Sequence, residues 1–286
     1  MILSEAIRED KQEAPRIRNG KGEAMMLGVI AAKLQGRKFV GFIDGDNRVP
    51  GSVLGYCKVF AAGLHHALHS SPQTEQEPDV MVRIKWKSKP KVVNGKLVLE
   101  PFGRSSRVVN HFMNRFVQEV TGKFTPEATV LTANAGEHAM TVDLALHLRF
   151  ATGYAVEPYQ LIDLWEQRSQ SPSPARNVRI LQIETCNPHI HDTDKGAGHI
   201  QRMQAQGLST IYYSRLTPNS LKDEIRAYMQ KHLPTNPDAD GQPGKPTIYR
   251  ALQSLRESDW DVFAKAIPRC QMRSIDDQRC SSAATL

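Results

Sequence analysis

Two carboxylates, Asp44 and Asp46, follow a short apolar run, Phe39 to Ile43, that reads as a buried strand. Carboxylates at i and i+2 on a turn repel each other, and a hard divalent cation such as Mg2+ or Mn2+ relieves the repulsion. A cation held there can bridge the phosphates of a nucleotide and stabilise a departing diphosphate. Solvated turn aspartates are the commoner origin of an acid-x-acid motif, so the pair needs partners. One is at hand after a second strand, Val178 to Glu184, which ends in Asn187-Pro188-His189-Ile190-His191-Asp192. An imidazole can complete an oxygen-rich site built on another strand end. An extended segment sends His189 and His191 to opposite sides, so only one of them is expected to bind.

Two loops offer cations to an anion. Arg18-Asn19-Gly20-Lys21-Gly22 places a lysine between glycines just ahead of a helix, where unpaired N–H groups and a close backbone approach suit a phosphate. Gly103-Arg104-Ser105-Ser106-Arg107 repeats the arrangement with two guanidiniums and two hydroxyls. An ordinary helix-start loop and an ordinary charged surface loop are the plain alternatives. The Walker A spacing is absent, as are GxSxG, HExxH and a GxGxxG after a strand, which disfavours hydrolase-triad, zincin and dinucleotide-dehydrogenase chemistry.

The elements that must position these residues alternate. A helix is expected over 22–34, the strand 39–43, a helix from about Pro50 to Leu68, and a strand from Val80 ending near Ser88. A hairpin at Asn94-Gly95 returns through Lys96–Leu99, and Lys85, Lys87, Lys89 and Lys91 share one face of the extended chain. Helices are expected over 108–120, 141–151, 158–167, 198–206, 221–232 and 246–258, with a turn at 131–137 and a short strand at 153–157. Strands interleaved with helices predict an α/β fold with a mostly parallel sheet and its sites at the strand C-termini.

The 286 residues, 40% hydrophobic and 23% charged, are ample for a buried core and exclude wholesale disorder. A net charge of +7 suits anionic partners. An aromatic-rich basic platform is missing, so nucleic acid is not the expected partner. The four cysteines are scattered and form no CxxC pair, which fits reduced thiols in the cytoplasm. Neither a signal peptide nor an apolar run long enough for a membrane span is evident.

Taken in order, Gly20-Lys21-Gly22, Phe42-Ile43-Asp44-Gly45-Asp46-Asn47, Gly103-Arg104-Ser105-Ser106-Arg107, Asn134-Ala135-Gly136-Glu137-His138-Ala139, Gly153-Tyr154-Ala155-Val156-Glu157 and Asn187-Pro188-His189 resemble the mannosyl-3-phosphoglycerate synthase family over about Arg16 to Glu257. The resemblance implies a retaining GT-A-like glycosyltransferase that moves mannose from GDP-mannose to 3-phosphoglycerate with a divalent metal. It also implies roles. Asp46 and His189 would ligate the metal, with His191 less favoured, and Asp44 would lie by the nucleotide sugar. Lys21 would sit near the donor diphosphate. Arg107, with Gly103, Arg104 and Ser106, would hold the acceptor phosphate. Gly136, Glu137 and His138 would border the sugar and acceptor, and Glu157 would face the acceptor as an orienting group.

On this resemblance, residues 1–195 form a GT-A-like core, 196–270 a helical C-terminal region and 271–286 a frayed tail. The family pattern opens with a strand and loop that recognise the nucleotide base. These are expected to precede the chain, which makes it an N-terminally shortened form with unpaired strands open to homodimerisation. Glucosyl-3-phosphoglycerate synthesis shares the layout, and a non-catalytic phosphometabolite-binding protein is the reading from another class.

Overall fold

A computed structural model describes residues 7–8, 16–17, 20–70, 77–122, 125–170, 177–186, 189–190, 196–233, 242–255 and 260–261. The expectations placed on Arg18-Asn19, Asn187-Pro188, His191 and 271–286 lie outside the described residues. The chain forms two compact units, Met1–Gln253 and Ser254–Leu286, and the architecture below belongs to the first.

Its elements run α1 (Lys21–Leu34), β1 (Phe39–Phe42), α2 (Ser52–His69), β2 (Asp79–Trp86), β3 (Lys89–Val93), β4 (Lys96–Glu100), α3 (Arg104–Thr121), β5 (His138–Thr141), α4 (Val142–His147), β6 (Phe150–Ala151), α5 (Val156–Gln170), β7 (Val178–Thr185), α6 (Gly196–Tyr212), α7 (Asn219–His232) and β8 (Ile248–Tyr249). No helix among the described residues is long and apolar enough to cross a membrane.

The central sheet has the order β1-β5-β2-β7. Strands β1, β2 and β7 point the same way, and β5 runs antiparallel between β1 and β2. The expected parallel character therefore holds for three of the four strands. The antiparallel β5 has a direct consequence for the site: its first residue, His138, registers with Phe42 at the end of β1 and with Arg83 on β2. Gly136 and Glu137 thus arrive at the same end of the sheet as the turn that follows β1.

The alternation of β2 sends Val80, Val82, Ile84 and Trp86 to one face, where they pack with Tyr56, Phe60, Leu64 and Ala67 of α2 and with Ala139. Met81 and Arg83 take the other face, and Arg83 reaches α5. Helices therefore cover both faces of the sheet. At the far end of β2 the lysine stripe divides: Lys85 and Lys87 both bond Glu184 of β7, so neither is a free cation for a ligand. The hairpin forms as expected, with Asn94 and Gly95 in the left-handed region, at φ 52° and 74°, that a two-residue turn demands.

Two expectations are corrected. The segment 153–157 is no strand: Gly153, at φ 57°, starts a 3-10 turn through Ala155, and α5 begins at Val156 with Pro158 in its first turn. Proline is tolerated there because the first N–H groups of a helix have no internal acceptor. Nor is the described part of 246–258 one helix. Ile248–Tyr249 pairs antiparallel with β6, and the Tyr249 hydroxyl donates to Glu23 Oε1 at 2.8 Å, which anchors this segment in extended form.

The turn before α5 is fastened through Asp163. This fully buried carboxylate accepts from the Arg149 backbone N (2.8 Å), Arg149 Nε (2.6 Å) and Gln167 Nε2 (2.7 Å), tying the approach to β6 onto α5. Asp163→Ala is expected to cost about 2–4 kcal/mol, because it orphans donors in a buried setting. Urea denaturation followed by circular dichroism reads that loss as a lower midpoint with an unchanged slope.

Candidate active site

Lys21 stands in the first turn of α1, and its ammonium bridges two carboxylates. Nζ lies 2.6 Å from Asp44 Oδ1, on the turn after β1, and is ion-paired with Glu157 Oε1, in the first turn of α5. Residues 21, 44 and 157 thus meet. Burial disfavours the charged ammonium, but the two carboxylates outweigh it and raise the Lys21 pKa well above its ordinary value.

Two glycines permit this meeting. A Cβ on Gly22 would stand 2.0 Å from the Ala151 carbonyl oxygen, and one on Gly136 would stand 2.2 Å from Asp44 Oδ2. Gly22 therefore lets α1 abut β6, and Gly136 leaves room for the Asp44 carboxylate.

Next to this cluster, Glu137 is fully buried. Its Oε2 accepts from Trp86 Nε1 at 3.0 Å, while Oε1 accepts no hydrogen bond and lies 3.8 Å from His189 Nδ1. Burial, and then the negative charge of Asp44, push the Glu137 carboxyl up to about 7, against the pull of the Trp86 N–H. The His189 ring stacks on Trp86 with centroids 4.3 Å apart, and its backbone N–H donates to the Ser88 carbonyl at 3.0 Å.

The acidic turn is fastened to the His189 segment. Asn47 Nδ2 donates to the Tyr56 hydroxyl at 2.7 Å and lies 3.4 Å from His189 Nδ1, and the Arg48 N–H donates to the Ile190 carbonyl at 2.8 Å. Asp46 is half-buried on that turn, one residue from the Asn47 contact. The turn after β1 and the segment after β7 are thereby brought together, although the two strands form opposite edges of the sheet.

The donor set here suits a hard divalent cation. Asp44 pairs with the Lys21 ammonium, its negative charge acts on Glu137, and the buried Glu137 Oε1 accepts no hydrogen bond among the described residues. Among the described residues no group of three or more His, Cys, Asp or Glu side chains is placed to hold a metal ion by itself. Such a cation would take its further ligands from substrate oxygens and water.

His138 is enclosed on all sides. Its Nδ1–H donates to the Ala135 carbonyl (3.0 Å), Nε2 lies 3.3 Å from Gln160 Nε2, and burial, then Arg83, lower its pKa well below the ordinary range. It is a neutral pillar beneath Gly136-Glu137, with no surface open to a ligand. The expected phosphate loop lies at the N-terminus of α3, where Gly103 is the cap and Asn134 Nδ2 donates to Ser105 Oγ at 3.0 Å. Arg107 is largely exposed and stands 3.6 Å from Glu100, and no hydrogen bond among the described residues joins Arg104, Ser106 or Arg107 to the Lys21 cluster.

Sequence reasoning missed Arg83, the largest fully buried side chain. Its guanidinium donates to the carbonyls of Thr132 (2.8 and 3.0 Å), Ala133 (3.1 Å) and Glu157 (3.2 Å) and to Gln160 Oε1 (3.1 Å). Burial lowers it to about 10, so it remains charged at neutral pH. The signal is a cation inside the mainly apolar run Val80–Trp86, to which sequence reasoning assigns no role.

The protein has an α/β fold with a central sheet flanked by helices, and an acidic turn, a buried carboxylate and an imidazole gather at one end of that sheet. The sequence model of the family described as mannosyl-3-phosphoglycerate synthase matches residues 3–267, and the chain belongs to that family. A mannosyl-3-phosphoglycerate synthase of Pyrococcus furiosus is 37% identical over 255 residues, covering 87% of this chain and 61% of that protein. One from Aeropyrum pernix is 34% identical over 241 residues, covering 82% and 58%. The chain thus spans about three fifths of the length of the curated relatives it matches. Among solved structures, glucosyl-3-phosphoglycerate synthase from Mycobacterium tuberculosis in complex with Mn2+ and uridine-diphosphate-glucose is similar over 72% of this chain and 57% of its own, at 21% identity and a TM-score of 0.46.

Proposed function

We propose that the chain is a cytoplasmic, retaining glycosyltransferase that moves mannose from GDP-mannose to 3-phosphoglycerate. The observation that carries this reading is the Lys21 ammonium held between Asp44 and Glu157, which unites motifs from three distant parts of the chain. Membership of the mannosyl-3-phosphoglycerate synthase family supports mannose and 3-phosphoglycerate as the parts joined.

Asp46 and His189 are the protein ligands of a Mg2+ or Mn2+ ion, which when bound offsets the charge of the donor diphosphate. Lys21 adds a fixed positive charge beside that diphosphate and steadies it as the bond to the sugar breaks. Asp44, in the room left by Gly136, lies by the nucleotide sugar. Glu157 orients the acceptor: paired with Lys21, its carboxylate is too well satisfied to serve as a covalent nucleophile. Proton removal from the attacking hydroxyl then falls to the departing diphosphate. Gly103, Arg104, Ser106 and Arg107 receive the acceptor phosphate at the start of α3, where N–H groups and guanidiniums suit it. Glu137 and His138 stand beneath the sugar and acceptor and hold the Gly136 turn.

Gly136→Ala tests the crowding at Asp44. The added methyl displaces the carboxylate, and transfer is expected to fall on the order of 100-fold, the effect of a misplaced group, with little change in melting temperature. The reading itself is tested by GDP release from GDP-mannose with Mn2+ present, alongside the anomeric proton signal of the product. Release that requires 3-phosphoglycerate, gives the retained anomer and vanishes in Asp46→Ala supports it. Release indifferent to 3-phosphoglycerate, or unaltered by Asp46→Ala, contradicts it.

A further inference from the structure

A cavity of about 500 Å3 opens between α6, α7 and the segment Gln242–Thr247, behind the Thr152–Ala155 turn. Its charged lining is Arg202, Arg226 and Lys245, and no carboxylate is among the described residues that line it. Arg226 Nη2 touches the Tyr212 hydroxyl at 3.2 Å and Asp223 at 3.3 Å, but its buried Nε has no acceptor among the described residues. Lys245 Nζ lies 5.9 Å from the centroid of the Tyr213 ring. Among the described residues, Asp223 pairs with one of these three cations, Arg226, and the described lining carries net positive charge.

The neutral lining points to the rest of the ligand. Gln206 Oε1 accepts from the Tyr154 N–H at 2.8 Å, which leaves its amide N–H groups to donate, and Gln230 and Ser209 add further polar atoms over a floor of Met229 and Leu233. Guanidiniums match a phosphate, amides and hydroxyls match a hydroxylated carbon skeleton, and the volume is that of a small-molecule site.

The cavity is separate from the α3 loop. Gln204 Nε2 donates to the Arg104 carbonyl at 3.1 Å and Gly207 packs on Val109, so that side of α6 faces α3. Arg202, Ala205, Gln206 and Ser209 lie half a turn round the helix and face the cavity. We propose that this cavity is a second anion site, which binds a hydroxylated phosphate monoester of sugar-phosphate size. The proposal goes beyond the transferase reading and stands whether or not the chain is active.

Isothermal titration of the full chain with glucose 6-phosphate tests it, with glucose and inorganic phosphate as partial probes. The expected result is saturable binding, at least tenfold weaker with inorganic phosphate and undetectable with glucose. Arg202→Gln and Lys245→Gln, both at exposed positions, and Arg226→Gln are each expected to weaken glucose 6-phosphate several-fold, and Arg107→Gln to leave it unchanged. Absence of saturable binding overturns the proposal. So does affinity lost in Arg107→Gln but kept in the exposed-site variants Arg202→Gln and Lys245→Gln, which assigns the phosphate to the α3 loop. Equal affinity for inorganic phosphate and glucose 6-phosphate overturns the hydroxylated ligand.

Discussion

Lys21→Ala is expected to lower the rate of transfer by about 100- to 1,000-fold, the range seen when one preorganised cationic or hydrogen-bonding group is removed from developing charge. Two effects add in this variant. The diphosphate loses its fixed counter-charge, and Asp44 and Glu157 lose the ammonium that holds them together. Lys21→Arg keeps the charge, but its planar fork replaces a compact ammonium between two carboxylates, so it is expected to recover only part of the rate. Single-turnover kinetics at saturating donor separate this loss from weakened binding: the defect belongs in the chemical step. A Lys21→Ala protein that turned over at the native rate would remove the bridge from the mechanism.

The second large effect is on stability. Arg83→Met replaces the buried guanidinium with an apolar chain of similar length and leaves the Thr132, Ala133 and Glu157 carbonyls and Gln160 Oε1 without its donors. Removing one side of a buried charged network costs about 3–5 kcal/mol. For a chain of this size that is on the order of 10 °C in melting temperature. Because Arg83 holds the backbone of Glu157 and the turn before Gly136-Glu137, the folded variant is also expected to transfer mannose more slowly below its melting point. Thermal unfolding by circular dichroism checks the first effect, and a rate measured well below the midpoint checks the second. Arg83→Lys keeps a charge but cannot span four acceptors with one compact ammonium, so it is expected to recover only part of the stability.

The two effects differ in how visible their residues were in the sequence. Lys21, Asp44 and Asp46 sit where local signals are strong: a glycine-flanked lysine before a helix, and acids directly after an apolar strand. Their positions could be read without knowing what packs against what. Arg83 and β5 could not, since their character depends on distant partners. Thr141 reads as the start of a helix and 138–140 fall in no expected element, and they become strand residues because Phe42, Arg83 and Met81 lie across from that segment. The guanidinium of Arg83 is at home in the core only because carbonyls some fifty and seventy-four residues away turn toward it.

The same distinction explains the two corrected segments. Gly153–Glu157 has strand-like residues, but its glycine takes a left-handed turn and the Pro158 that follows it fits a helix start. Ile248–Tyr249 is held extended by a hydrogen bond to Glu23, two hundred and twenty-six residues earlier. Local composition cannot report contacts of that kind. The lysine stripe shows the same limit: Lys85 and Lys87 share a face as the alternation says, and Glu184 on the neighbouring strand takes both.

Calorimetric titration of Mn2+ into the full chain, with Asp46→Ala, His189→Ala and the double variant alongside, probes the proposed centre between the turn after β1 and the segment after β7. The account predicts that each single variant loses at least tenfold in affinity and that the double variant loses little more, because both side chains grip one ion. Native Mn2+ affinity in both single variants would contradict it.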